Sequence, residues 1–176
     1  MRNCLVSATT AAVFCATLIS LPAAAATIPH KAAGISVWHP ADWNSSTEDE
    51  EVLELFNGAD ADSSEAYMYF WVVEGGDLKD AADEVDADIA KWVKNVKWEK
   101  TPTEGTINGM PTLMLEGMGT AIEGKYDGKA VDIAVAFIVT PKKKIALVYG
   151  QFLKGGPNAA KLDKDVVKII QSVKPL

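Results

Sequence analysis

The chain has 176 residues, a net charge of −7 at pH 7 and a single arginine, Arg2. Surfaces that bind phosphate groups rely on clustered lysine and arginine, and the bidentate clamp for phosphate or carboxylate relies on arginine. The acidic charge and the scattered lysines therefore argue against nucleic acid, anionic lipid and phosphorylated molecules as partners.

The first 26 residues have the three parts of a secretory signal peptide. Arg2 gives a basic start, residues 11–21 form an apolar run, and residues 22–26 read Pro-Ala-Ala-Ala-Ala. The apolar run is shorter than the ~20 residues that span a bilayer. We therefore predict cleavage after Ala26, a periplasmic or secreted protein, and no integral membrane segment after cleavage.

Both cysteines, Cys4 and Cys15, lie in the predicted signal peptide. The remaining chain has 16 lysines and 24 acidic residues, a net charge of −8, and no thiol for a disulfide or a metal site. A chain of this length buries roughly two-thirds of the surface that its unfolded form exposes. We predict one domain over residues 27–176, stabilised by its core alone.

The first half of that chain predicts three strands. A short flexible leader, residues 27–33, precedes an alternating strand over 34–39, and Trp43 closes the turn that follows. A second strand covers 52–56, and Asn57-Gly58 opens a polar reversal. Residues 66–73 are continuously apolar, aromatic or β-branched, which is typical of a central strand.

One long amphipathic helix is predicted over residues 78–96, with Asp77 as its N-cap. Its apolar residues recur every three or four positions: Leu78, Ala81, Ala82, Val85, Ile89, Trp92, Val93 and Val96. We expect this helix to lie on a sheet, with Trp92 buried beneath it.

The second half predicts four strands over 98–107, 110–122, 130–140 and 144–154, joined by short reversals that imply antiparallel neighbours. In the third of these strands, the face that carries Val131, Ile133, Val135, Phe137 and Val139 is predicted to be buried. Pro157 opens a final helix with an apolar stripe of Leu162, Val166, Val167, Ile169, Ile170 and Val173. This order predicts an α+β fold: an antiparallel sheet of about six to seven strands, with one long central helix and a C-terminal helix packed on it.

The opening of the predicted domain, Gly-Ile-Ser-Val-Trp-His-Pro-Ala-Asp-Trp at residues 34–43, resembles the start of the PsbP-like superfamily. That superfamily includes photosystem II extrinsic proteins, bacterial periplasmic relatives and a Ran-binding nuclear-import factor. The order of elements is also similar, including the Asn108-Gly109 hairpin. The resemblance implies a sheet sandwiched by helices and a non-enzymatic accessory or binding role, and it supplies no catalytic residues.

Residues 42–65 hold nine acidic residues and no basic one. Asp60, Asp62 and Glu65 offer oxygens at nearby positions, but the stretch lacks the glycine and the closing glutamate of an EF-hand loop. We interpret it as an acidic interaction or solvation surface rather than a calcium site. The candidate interaction residues are Asp42, Trp43, Glu48, Asp49, Glu50, Asp60, Asp62 and Glu65.

No catalytic or cofactor motif is present in the sequence. A Ser/His enzyme would need an imidazole, and only His30 in the leader and His39 at an exposed strand end could supply one. Gly117 and Gly119 leave one face of a strand bare, which favours close packing of a helix over entry of a ligand.

The sequence therefore predicts an exported, non-enzymatic accessory or binding protein without a cofactor, whose acidic and aromatic surface contacts another envelope protein. Two alternatives are a carrier of a small apolar ligand in an internal cavity, which the five tryptophans and the methionines could line, and a weak divalent-cation-binding protein.

Overall fold

The computed structural model describes residues 25–49, 51–60, 62–73, 77–99 and 101–176. Residues 1–24 of the predicted signal peptide, and Glu50 of the predicted interaction surface, lie outside the described residues. None of the helices in the described ranges has both the length and the apolar character that crossing a bilayer requires.

Eleven strands and three α-helices are described. In chain order they are β1 (Ala26–His30), β2 (Ile35–His39), β3 (Asn44–Asp49), β4 (Val52–Phe56), β5 (Ala66–Val73), α1 (Leu78–Asp83), α2 (Val85–Ile89), β6 (Val93–Trp98), β7 (Thr103–Ile107), β8 (Met110–Ala121), β9 (Ala130–Val139), β10 (Ile145–Leu153), α3 (Ala159–Ser172) and β11 (Lys174–Pro175). A short 3₁₀ turn, Gly124–Tyr126, lies between β8 and β9.

The main sheet has eight antiparallel strands in the order β3-β4-β5-β10-β9-β8-β6, and β7 pairs with the other part of β8. A smaller sheet joins β1, β2 and β11. The predicted α+β class and the antiparallel sheet are confirmed. The predicted strand number was too low, because β1 lies in the segment that was predicted as a leader and β3 consists entirely of polar residues.

Two apolar cores lie on the two faces of the main sheet. The first is covered by α3 and β2, and the second by α1, α2 and Trp92. The predicted inner face of β9 is confirmed for Val131, Ile133, Val135 and Phe137, which are buried in the second core, whereas Val139 at the end of the strand is partly exposed. Ile138, on the opposite face, is buried in the first core, so the centre of the sheet is covered on both sides.

The long helix predicted over 78–96 is wrong beyond its first part. Asp77 is the N-cap, as predicted, and its carboxylate accepts hydrogen bonds from the backbone of Lys79 and Asp80. The helix then breaks at Glu84 and ends at Ile89, and Val93 begins β6. The backbone of 93–98 finds hydrogen-bond partners on β8, so the strand satisfies those groups in place of further helical turns.

Gly117 and Gly119 explain how β6 comes so close to β8. A Cβ on Gly117 would lie 2.8 Å from the Lys97 carbonyl oxygen, and one on Gly119 would overlap the side chain of Val93. The expected close packing is confirmed, but the neighbour is a strand with a bulge, where Asn95 has φ 56°, and not a helix. Of the predicted strand 98–107, Trp98 ends β6 and residues 103–107 form β7, and both strands pair with β8.

The predicted flexible leader and exposed histidine were also wrong. Residues 26–30 form β1, which pairs with β2, and both His30 and His39 are buried. His30 Nε2 donates to the carbonyl oxygen of Glu51 at 2.9 Å, and His39 Nδ1 donates to that of Pro40 at 2.8 Å.

The C-terminal helix is confirmed as α3, and it packs on the sheet through Leu162, Val166, Ile169 and Ile170. Val167, which the spacing placed in the same stripe, is instead exposed, because it lies outside the arc of the helix that faces the sheet.

Candidate functional site

The predicted acidic surface does not form one cluster. Asp42 pairs with Lys161 of α3 at 2.8 Å, and Glu65 accepts a hydrogen bond from Asn158 at the start of that helix at 2.8 Å. Asp60 instead closes its own turn by accepting from the backbone N–H of Ser63 at 2.7 Å. Asp42 and Glu65 therefore tie loops to α3, whereas Asp60 stabilises its own turn.

The other predicted residues are equally dispersed. Asp62 lies against the turn after β8, where its carbonyl accepts from the backbone of Lys125 at 2.8 Å. Glu48 and Asp49 belong to the edge strand β3. Trp43 is not a surface residue: it is 1% exposed and its ring packs in the first core, because the turn after β2 folds under α3.

Hydrogen bonding to Lys161 holds the pKa of the Asp42 carboxyl below its ordinary value. Hydrogen bonds from Ser63 lower the pKa of Asp60 in the same direction. Among the described residues, no group of three or more histidine, cysteine or acidic side chains is arranged to hold a metal ion.

The acidic stretch does contribute to one concave site, which we call the aromatic–acidic groove. It has a volume of about 360 Å³ and lies on the second face of the sheet, beside Tyr69 and Trp71 of β5. Its lining residues are Glu51, Val52, Glu54, Tyr69, Trp71, Val72, Lys91 and Trp92.

The register of β4 and β5 sets the floor of the groove. Val52 is paired with Trp71, and Glu54 with Tyr69, so these four side chains project from the same face. All four are partly exposed, because α1 and α2 cover the centre of this face and not the edge near β4.

Trp92 forms the inner wall. Its indole stacks on Tyr69 and on Tyr149, with ring centroids 4.6 Å and 5.2 Å apart, and meets Trp71 edge-on at 5.2 Å. Its backbone carbonyl accepts from Ile122 at the end of β8. The turn between α2 and β6 is thereby fixed to the sheet, and the predicted burial of Trp92 is confirmed at 7% exposure.

Lys91 places a positive charge in the groove. Its Nζ lies 4.1 Å from the centroid of the Trp92 ring, within the range of a cation–π contact. The positive charge of Lys91 also acts on the carboxyls of Asp88 and Glu123, because it opposes the rise in the pKa of each. Burial is the main cause of both rises, and Glu84 and Asp62 respectively add to them.

Two tyrosines, Tyr67 and Tyr149, pack in the second core together with Trp92. Tyr149 donates a hydrogen bond to Gln151 Oε1 at 2.5 Å, and burial raises the pKa of both Tyr67 and Tyr149 far above the ordinary phenol value. Both hydroxyls are therefore protonated at neutral pH.

The groove joins the aromatic rings of Tyr69, Trp71 and Trp92 with the acidic residues Glu54 of β4 and Glu51 just before it. This is the chemistry of a site for a cation or for a polar protein surface. None of the described candidate interaction residues lines the groove: its acidic side chains are Glu51 and Glu54 of the same stretch, and the sequence did not indicate Tyr69 and Trp71 as their neighbours. Only the pairing of β4 with β5 brings these side chains together. The continuous apolar pattern of residues 66–73 predicted a central strand, so it gave no sign that Tyr69 and Trp71 would be partly exposed.

A second cleft, of about 440 Å³, opens between α1 and the β7–β8 hairpin. Its apolar lining includes Leu78, Ala82, Pro102, Pro111 and Leu113.

No protein-family model and no curated protein sequence matches the chain. Two solved structures have the same fold. The Ran-binding protein Mog1p of Saccharomyces cerevisiae matches with a TM-score of 0.53 and 14% identity, over 86% of this chain and 95% of Mog1p. A protein of Bacteroides thetaiotaomicron VPI-5482 matches with a TM-score of 0.52 and 14% identity, over 89% of this chain. The chain spans 49% of the length of that second protein. At 14% identity, this structural similarity establishes the α+β fold and nothing about function.

Proposed function

We propose that this chain is an exported, non-enzymatic accessory or binding protein of the cell envelope, that it acts by protein–protein contact, and that it belongs to the PsbP-like superfamily. The signal-peptide pattern supports export. The 34–43 motif and the fold shared with Mog1p, which is itself described as a Ran-binding protein, support the superfamily and a binding role.

The observation that carries the contact role is the aromatic–acidic groove. Tyrosine and tryptophan are enriched at the centres of protein interfaces, because they combine a large apolar area with a polar edge. Tyr69 and Trp71 are held partly exposed by rigid strands, so a partner would order few side chains on binding. Glu51 at the rim and the acidic net charge would steer a basic partner towards the groove.

Site-specific photo-cross-linking in the native envelope tests this proposal. A benzoylphenylalanine in place of Glu51, at the rim, is expected to cross-link one protein that mass spectrometry can identify. The same group in place of Lys129, an exposed residue of the β8–β9 turn outside the groove, is the control. Equal cross-linking of the same protein from both positions, or none from position 51, would contradict the proposed docking surface.

Export is tested separately by the intact mass of the protein recovered from the envelope or the medium. We expect the mass of residues 27–176. A full-length protein retained in the cytoplasm would rule out the envelope role without bearing on the groove.

The cleft beside α1 favours a second candidate function, the transport of a small apolar ligand. Its lining includes leucine, alanine and proline side chains that an apolar ligand could contact, beside the charged residues Lys79, Asp83 and Glu104. Native mass spectrometry of the purified protein would reveal a retained ligand as a discrete added mass. Leu78→Gln should then remove that mass, whereas Trp71→Leu in the groove should leave it.

A further inference from the structure

We propose that the aromatic–acidic groove receives the guanidinium group of an arginine side chain on the partner protein, and that this guanidinium displaces the Lys91 ammonium from Trp92. This inference rests on the proposed docking function and names the chemical group that the groove recognises.

The lining of the groove matches a cation. The electron-rich faces of tryptophan and tyrosine attract a positive charge, and carboxylates nearby add a charge-assisted hydrogen bond. Tyr69, Trp71 and Trp92 supply the rings, and Glu54 is paired directly across from Tyr69. An anionic side chain would instead be repelled by the same carboxylates.

Lys91 acts as the internal occupant of this cation position. Its ammonium lies 4.1 Å from the Trp92 ring centroid, so a lysine of the same chain already occupies the position that the arginine would take. The ammonium has two other carboxylates in electrostatic reach, those of Asp88 and Glu123. When an incoming cation takes its place, Lys91 can turn towards these groups and reduce the cost of their burial.

Arginine fits better than a second lysine for two reasons. A guanidinium is planar, so it can stack on a ring while its N–H groups reach a carboxylate, and it is less strongly hydrated than an ammonium. Residues 27–176 contain no arginine. The groove thus cannot be filled by a guanidinium from residues 27–176, and its own occupant, Lys91, is the weaker stacking cation.

An NMR titration with two capped tripeptides tests the charge requirement. Acetyl-Gly-Arg-Gly-amide is expected to shift the indole N–H signals of Trp71 and Trp92, while the peptide with citrulline, which keeps the shape and loses the charge, binds at least ~5-fold more weakly. That ratio corresponds to about 1 kcal/mol, within the range of a cation–π contact. Equal binding of the two peptides, or no shift of either indole by the arginine peptide, would overturn the inference.

The displacement is tested with Lys91→Met. We expect it to strengthen binding of the arginine peptide about 3-fold or more, because the competing internal cation is gone. Lys168→Met is the matched control: Lys168 lies at the same distance, 4.1 Å, from the ring of Trp38 outside the groove, and its loss changes the net charge equally. Equal effects of the two variants would show a general charge effect and contradict displacement.

The docking surface and its preference for arginine can be contradicted independently. If position 51 cross-links a partner while the tripeptides do not differ, the docking surface stands and its preference for arginine is wrong. If the arginine peptide binds while no cross-link forms, the groove is a cation site that is not used for a protein partner.

Discussion

The indole ring of Trp92 and the phenol ring of Tyr69 stack with centroids 4.6 Å apart and planes 12° apart. Trp92 belongs to the turn that ends the short helices, and Tyr69 belongs to a central strand of the sheet. This single contact closes the second core and at the same time builds the wall of the groove. Stability and binding should therefore depend on the same ring.

Trp92→Ala should lower the free energy of unfolding by about 3–5 kcal/mol, the usual cost of emptying a buried site of a large aromatic side chain. Denaturant melts provide the measurement. Trp38→Ala is the control, since Trp38 is only partly buried and should cost less. A loss below about 1 kcal/mol for Trp92→Ala would mean that the ring contributes no more than a surface residue does.

Gly117→Ala should destabilise the protein by about 1–3 kcal/mol, the typical range for overpacking. The added methyl group would lie 2.8 Å from the carbonyl oxygen of Lys97, and a paired backbone cannot move aside easily. Gly105→Ala on β7 is the control, because no atom lies within 4 Å of the added Cβ. If both variants unfold at the same denaturant concentration, β6 does not approach β8 as closely as described.

These elements also show what sequence patterns could predict. Positions with one dominant local signal, such as the Asp77 cap and the β9 alternation, were predicted correctly. Residues 90–98 were not, because Trp92, Val93 and Val96 continue a helical spacing by chance, while the choice of strand depends on Gly117 and Gly119 far along the chain. The acidic side chains that line the groove, Glu51 and Glu54, were not among the candidate interaction residues, because only the tertiary pairing of β4 with β5 places them beside Tyr69 and Trp71.

Lys91→Met should raise the pKa of Glu123 and of Asp88 further, because the charge of Lys91 now opposes the effect of burial on both. NMR titration of the side-chain carboxyl carbons measures this directly. Since the folded-state pKa already lies above the unfolded value, each group favours the folded state below its unfolded pKa, and that contribution is lost as the pH rises through the folded-state pKa. Unchanged pKa values in the variant would place the Lys91 ammonium away from both carboxyls.

The acidic stretch should not bind calcium tightly. The Asp60 carboxylate accepts a hydrogen bond within its own turn, and Asp62 lies against the turn after β8. Their oxygens therefore do not converge as a calcium site requires. Calorimetric titration should detect no micromolar affinity. If calcium did bind with that affinity, and Asp60→Asn combined with Asp62→Asn abolished it, the interpretation of this stretch as an interaction or solvation surface would be wrong and a metal-dependent role would take its place.

The most direct test of the docking surface is the affinity of the cross-linked partner, once purified, for Trp71→Ala. We expect Trp71→Ala to weaken binding at least ~10-fold, the effect of losing an aromatic residue at the centre of an interface. Trp38→Ala, outside the groove, should bind within about 2-fold of the parent protein, as residues outside an interface do. If Trp71→Ala binds as tightly as the parent while remaining folded, the aromatic–acidic groove is not the contact surface.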